Sequence, residues 1–207
     1  MSYTNSRCII LGADAPHHGK QPTLLEAVNG VSLIDWQLSA LALPEEQIDL
    51  VLGYHSTEIT CRYSGIRTFD NPYWQTTGSV VSLLQVDLDG VDELLVCYGD
   101  ILFRSKLVDD MRLTDDPIVV AWDSHWKQRY ADRDVQDMAV CEKVLLEASQ
   151  VLRLGNDIPD DWANGEFIGL VRFSGVVLDH LRQLQMQLPD SLSRLHLSGL
   201  VEWLRVS

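Results

Sequence analysis

A run of four apolar residues, Cys8-Ile9-Ile10-Leu11, breaks off at Gly12 and opens into a polar loop before apolar residues resume at Leu24 and Leu25. With no polar alternation, the run reads as a strand buried on both faces, the kind that parallel sheets use. Strand-like runs recur at 48–52, 66–69, 94–98 and 118–122. Helical spacing fills the gaps, at 32–41 with Ser32 as N-cap, at 78–86 with Thr77 or Ser79 as cap, and at 105–111. Alternation of this kind predicts an α/β fold built on a largely parallel sheet with right-handed crossovers.

After Trp122 the pattern changes. Short segments at 138–146, 151–154 and 167–173 read as antiparallel strands around turns at Gly155-Asn156 and Asn164-Gly165, and helices follow at 176–187 and 191–204. A second region that closes over the sheet edge is implied. The 207 residues, 46% of them hydrophobic, suffice for one α/β domain with an adequate core, and the chain shows no internal repeat. The formal charge of −14 argues against nucleic acid or an anionic membrane as partner, since both would be repelled. An anionic small ligand would need local Lys or Arg side chains, backbone N–H groups or a divalent cation. Cys8, Cys61, Cys97 and Cys141 form no C-x-x-C pair and read as free thiols of a reducing cytosol. No signal peptide or membrane-spanning stretch is evident, so the expected setting is cytoplasmic.

The strand-to-loop junction suits phosphate binding, because a loop that leaves a buried strand at a glycine turns backbone N–H groups toward an anion. The P-loop pattern does not fit: six residues separate Gly12 from Gly19-Lys20 where four are required, and Gln21 stands where Ser or Thr would hold magnesium. The dinucleotide fingerprint does not fit either, since Gly12-Ala13-Asp14 is not G-x-G. A longer, one-nucleotide loop remains, with Leu11, Gly12, Ala13, Asp14, Gly19 and Lys20 as candidate contacts; the other reading is an ordinary connection with a solvated lysine.

Two further sites follow from position. Asp100 closes the strand at 94–98, and a carboxylate at the C-terminal edge of an open α/β sheet projects into the crevice where ligands bind, where it could hold Mg²⁺ against a phosphate. It could equally cap the next helix. The segment 71–79 joins a strand to a helix and is dense in amides and hydroxyls that can read a base edge. Thr77, Gly78, Ser79 and Ser82 are its candidates, and an N-capped helix after an Asn-Pro turn is the alternative.

Taken in order, IILGA at 9–13, PTLLEAVNG at 22–30, VLGYHSTEI at 51–59, NPYWQTTGSVVSL at 71–83, YGDILF at 98–103, WDSHWKQRYADR at 122–133 and GEFIGLVRFSG at 165–175 resemble the GT-A-type nucleotidyltransferases. The match is nearer to their small cytidylyltransferase branch, which activates phosphonates or phosphocholine and includes the cytidylyltransferases of the fosfomycin route. The resemblance spans nearly the whole chain. It implies a Rossmann-like fold with an antiparallel acceptor-side subregion, a nucleotide-binding half over about 1–121 and an acceptor-binding half over about 122–207. It also implies CTP as substrate, Mg²⁺ on Asp100, and a small phosphonate such as 2-hydroxyethylphosphonate or 2-aminoethylphosphonate as acceptor, with pyrophosphate released. Phosphocholine is the runner-up; a sugar-1-phosphate nucleotidyltransferase and a non-catalytic nucleotide-binding module stand further back. Around the acceptor the resemblance points to Asn71, Trp126, Arg129, Arg133, Lys143 and Glu166.

The chain departs from the family twice. The family's first loop reads G-x-G-x-R and then Pro-Lys, whereas here Asp14, His17 and His18 occupy the loop and Thr23 follows Pro22, leaving Lys20 to act for the missing lysine. Family members also continue past a segment like LVEWLRVS into a strand carrying a second metal-binding Asp. This sequence ends at Ser207, so either it is part of a longer protein or another acid such as Glu166 completes the site.

Overall fold

The computed structural model describes residues 5–16, 20–131 and 135–206. In chain order, β1 (Ser6–Gly12) leads through a short hairpin, β2 (Ala27–Val28) and β3 (Val31–Ser32), into α1 (Leu33–Leu41). Next come β4 (Ile48–Leu52), α2 (Ser56–Arg62), β5 (Arg67–Asp70), α3 (Ser79–Leu83), β6 (Glu93–Tyr98), α4 (Ser105–Met111) and β7 (Ile118–Asp123). The remainder is α5 (Trp126–Arg129), α6 (Val135–Val140), β8 (Lys143–Glu147), β9 (Gln150–Gly155), β10 (Gly165–Ser174), α7 (Val176–Met186) and α8 (Leu197–Val206).

The main sheet runs β5-β4-β1-β6-β10-β8-β9, with β7 also paired to β10. Its first four strands are parallel, and β10 joins β6 in the antiparallel sense. Because β1 is central, its alternating side chains feed two cores. Ile9 and Leu11 meet α3, α7 and α8 through residues such as Val80, Leu181 and Leu200. Cys8 and Ile10 meet α1, α2 and α4 through Ile34, Ile59 and Val108. Burial on both faces is the reason 8–11 in β1, 50–52 in β4 and 94–97 in β6 read as apolar runs.

The predicted strands and helices of the first half appear within a few residues, and Ser32 caps α1 by accepting from the Asp35 amide at 3.3 Å. Three expectations need correction. The helix at 78–86 is shorter, and Gly78 rather than Thr77 or Ser79 occupies its N-cap, because the Thr77 hydroxyl donates to the Tyr73 carbonyl instead. The segment 138–146 is helical to Val140 and becomes strand only at Lys143, where its hairpin partner β9 reaches its last paired residue, Gly155. The last helix starts at Leu197 rather than Ser191, since the carbonyls of Ser193 and Leu195 accept from Gly78 and Val80 across the fold.

Charge at the N-terminal ends of the strands is fully compensated. Asp49 is clamped by Arg7 at 3.1 Å and Arg67 at 2.7 Å. Glu93, 1% exposed, takes Arg112 at 2.9 Å and lies 3.7 Å from Arg172, which is 0% exposed and also donates to the carbonyls of Thr114 and Asp116. Removing a partner from a buried ion pair leaves an uncompensated charge, so Glu93→Gln should cost about 3–5 kcal/mol in denaturant unfolding. A loss below about 1 kcal/mol, the scale of an exposed pair, would contradict this reading.

Candidate active site at the C-terminal sheet edge

Open α/β sheets bind ligands outside the C-terminal ends of their strands, and here the turns after β1 and β6 touch. The Gly99 amide donates to the Leu11 carbonyl at 2.8 Å. A Cβ on Gly99 would lie 2.9 Å from that same oxygen and 3.2 Å from the Gly12 Cα, and one on Gly12 would lie 2.3 Å from a Leu24 methyl. Neither position has room for a side chain, so the first loop and Asp100 are held side by side. Gln37, buried beneath, props the Asp100 turn by donating to the carbonyls of Tyr98 and Ile101, each at 2.8 Å. Asp100 itself is exposed and, among the described residues, makes no hydrogen bond or ion pair.

The loop after β4 fastens both described ends of the first loop. The Tyr54 amide donates to the Ala13 carbonyl at 3.0 Å, and its hydroxyl donates to the Lys20 carbonyl at 3.2 Å. Leu11 and Ala13 are buried, Asp14 and Lys20 exposed; Gly19, with His17 and His18, lies outside the described residues.

The segment 71–78 reaches the same edge through Trp74, against which Gly53 packs beside the Ala13 carbonyl. Asn71 is buried and works as a clasp: its amide donates to the hydroxyls of Thr77 and Ser82, both at 3.0 Å, and its carbonyl oxygen accepts from the Tyr73 amide. Asn71 and Ser82 therefore shape the loop from inside, while Thr77 and Ser79 are half-buried and Gly78 is pressed against the Leu195 carbonyl, 2.1 Å from where a Cβ would sit. Gln75, Thr76, Thr77 and Gly78 face Arg194 and His196 across a cleft of about 440 Å³.

Beside this cleft is a polar cluster that sequence reasoning missed. The Tyr98 hydroxyl donates to Glu142 at 3.1 Å and accepts from the Leu197 amide at 3.1 Å, and the Ser198 hydroxyl also donates to Glu142. Burial pushes the Glu142 carboxyl above the usual range, opposed by the Ser198 hydrogen bond and by His196. Burial, with the Glu142 charge, also raises the Tyr98 phenol well above its ordinary value. The sequence offered one faint signal, a lone acid between Cys141 and Lys143 in an otherwise apolar stretch.

Among the residues expected around an acceptor, Arg129 bridges two acids, Asp123 at 2.9 Å and Glu166, and the Tyr130 hydroxyl donates to Glu166 at 2.6 Å. Trp126 is 2% exposed and packs edge-on against Tyr130. Lys143 is 4% exposed, paired with Asp160 at 2.9 Å and donating to the Asn156 carbonyl. Trp126 and Lys143 thus sit inside the packing, with Arg129 and Glu166 nearer the surface; Arg133 lies outside the described residues. Among the described residues, every Lys and Arg except Lys20, Arg104 and Arg194 forms an ion pair. Those three all lie in segments at the C-terminal edge of the parallel strands. Among the described residues no three His, Cys, Asp or Glu side chains gather as a metal site, so Asp100 would meet a cation as a single carboxylate.

The parallel β5-β4-β1-β6 core, closed by an antiparallel β10 and the β8–β9 hairpin, is an α/β fold of the nucleotidyltransferase type. Among solved structures, the inositol-1-phosphate CTP transferase from T. maritima superposes with a TM-score of 0.71 at 18% identity, over 98% of this chain and 82% of that one. A Bacillus anthracis protein described as a glucose-1-phosphate thymidylyltransferase gives 0.72 at 14% identity, over 97% and 83%. The CTP:phosphocholine cytidylyltransferase from Streptococcus pneumoniae gives 0.66 at 16% identity, over 96% and 84%. No family model and no curated protein matches the sequence. No helix among the described residues is long and apolar enough to cross a membrane.

The Glu142 cluster gives a pH-dependent expectation. Because burial raises its pKa, the folded protein holds this proton more tightly than the unfolded chain. The associated stability is full below the ordinary glutamate range and is lost as pH rises through the raised value. Thermal midpoints followed from acid to neutral pH should therefore decline less in Glu142→Gln than in the parent, the remaining slope including the buried Asp49, whose pKa is raised in the same direction. Parallel curves for the two proteins would contradict the assignment.

Proposed function

We propose that this chain is a cytidylyltransferase, transferring CMP from CTP to a small phosphonate such as 2-hydroxyethylphosphonate or 2-aminoethylphosphonate with release of pyrophosphate. The observation that carries the reading is the contact between the turns after β1 and β6, which sets the first loop against Asp100 at the ligand-binding edge. The fold is one shared with two CTP-using transferases, and the unpaired Lys20 and Arg194 lie on the same edge.

In this reading an anionic oxygen of the acceptor attacks the α-phosphorus of CTP in line. The bond from that phosphorus to the bridging oxygen breaks, and the electron pair leaves on pyrophosphate. The nucleophile is already ionised near neutral pH, so the site needs no strong base; it needs to position two anions and neutralise their charge. Backbone N–H groups of the turn at Gly12 and Ala13 and the Lys20 ammonium would hold the triphosphate, and residues 77–79 the base. Asp100, a free hard-oxygen donor, fits Mg²⁺, an ion commonly held by one or two carboxylates together with substrate phosphates, and when bound the ion supplies charge neutralisation at the phosphates. Residues of about 1–121 then form the nucleotide half, and about 122–207 the acceptor half. Four free cysteines, three of them buried, suit a reducing cytoplasm.

One observation favours a second acceptor class. Asp123 and Glu166 together outweigh the single Arg129 between them, beside Trp126 and Tyr130. Such a rim suits an acceptor that carries a cationic nitrogen, as in 2-aminoethylphosphonate or phosphocholine, over a purely anionic one.

Pyrophosphate release from CTP and Mg²⁺ with a panel of hydroxyalkyl and aminoalkyl phosphonates, phosphocholine and inositol 1-phosphate tests the reaction. Turnover with a phosphonate supports the proposal, and turnover with the sugar-like phosphate alone replaces it. Asp100→Ala should lower turnover by at least about a hundredfold, and Lys20→Ala by about a hundredfold, with thermal midpoints unchanged. Full activity of Asp100→Ala would remove the metal assignment.

A further inference from the structure

The cleft between residues 75–78 and the Arg194–His196 wall is built of complementary hydrogen-bonding groups. On the loop side, the hydroxyls of Thr76 and Thr77 both reach the Tyr73 carbonyl, at 3.2 and 2.9 Å. That carbonyl also accepts the Thr76 and Thr77 amides, so the exposed Thr76 hydroxyl is free to turn either its proton or a lone pair outward. The Thr77 oxygen already accepts from Asn71, which leaves the Thr76 hydroxyl as the partner for a ligand. Arg194, across the cleft, is a fork of donors with no ion pair among the described residues.

The wall is strapped to the loop. Gly78 donates to the Ser193 carbonyl at 2.8 Å and Val80 to the Leu195 carbonyl at 3.1 Å, so the carbonyls on either side of Arg194 are fixed to the segment it faces. Tyr98, two residues before Asp100, holds the start of α8 through the Leu197 amide. The cleft is thereby tied to the same edge as the first loop and Asp100.

Resting on the cytidylyltransferase reading, we infer that this cleft seats the pyrimidine and that Arg194 selects cytosine over uracil. Cytosine presents a donor, its exocyclic amine, beside two acceptors, N3 and O2. The amine meets the Thr76 oxygen, and the two acceptors meet the guanidinium fork. Uracil carries an N3–H and an O4 at the corresponding places. Its N3–H would face the Arg194 donors, leaving both unsatisfied, while the Thr76 hydroxyl can turn to meet either the amine of cytosine or the O4 of uracil. Donors fixed opposite N3 separate the two bases, because the wrong partner leaves polar groups without bonds.

The test is equilibrium binding of CTP and of UTP, each with Mg²⁺, to the parent chain, Arg194→Lys, Arg194→Ala and Thr76→Val. The parent should prefer CTP. Both Arg194 variants should bind CTP about ten- to a hundredfold more weakly while UTP binding changes by no more than about twofold, so that the preference collapses. Arg194→Lys keeps the charge but not the fork, which separates base reading from a general attraction for the triphosphate. Thr76→Val should weaken CTP and UTP alike and leave the preference in place. Arg194 is exposed, so the thermal midpoints of its variants should match the parent's. A parent that binds CTP but shows the same CTP-to-UTP ratio as its Arg194 variants, or no preference at all, overturns the role of Arg194 and leaves the cytidylyltransferase reading standing. A parent that binds neither nucleotide overturns both.

Discussion

The hydrogen bond from the Gly99 amide to the Leu11 carbonyl is the constraint on which the rest of the site depends. It joins the ends of two neighbouring parallel strands at Gly99, where an added Cβ would lie 2.9 Å from the Leu11 carbonyl oxygen. Since β1 is flanked by β4 and β6, the elements that could serve a ligand there reach the edge from those strands, from β5 beyond β4, or from the helices packed over them. The β4 loop does so through Tyr54, the segment 71–78 through Trp74, and α8 through the Tyr98 hydroxyl.

Charge is divided along the same axis. The −14 surplus is not spread evenly. At the start of the strands the buried acids Asp49 and Glu93 are each clamped by arginines, which pins the sheet and withdraws those cations from any ligand. At the opposite edge Lys20, Arg104 and Arg194 remain unpaired among the described residues. On the proposed reading, an acidic protein that holds a triphosphate needs such an arrangement, because its net field opposes the ligand and only local donors can reverse it.

The fold was legible because burial on both faces writes itself into the sequence as apolar runs such as 50–52 and 94–97, and Ser32 signalled its cap by chemistry local to the chain. What depended on distant partners was not legible. The start of β8 follows from the end of β9, and the start of α8 follows from carbonyls bonded to Gly78 and Val80. The site divides the same way. Gly12, Ala13 and Asp100 could be named as candidates because strand ends mark them, whereas Gln37 and Glu142 bond to Tyr98 across 61 and 44 residues of chain, Arg194 faces residues 75–78 from over a hundred residues away, and no local pattern announces them. Lys143 and Trp126 illustrate the reverse case, residues of a suitable chemical type whose placement inside the packing depends on Asp160 and Tyr130.

Amide hydrogen exchange with and without CTP and Mg²⁺ tests most directly whether the touching turns form the nucleotide site. The account predicts added protection at Gly12, Ala13, Gly78 and Asp100, the amides of three separate loops responding together. Protection absent from all three loops while CTP is bound would contradict it.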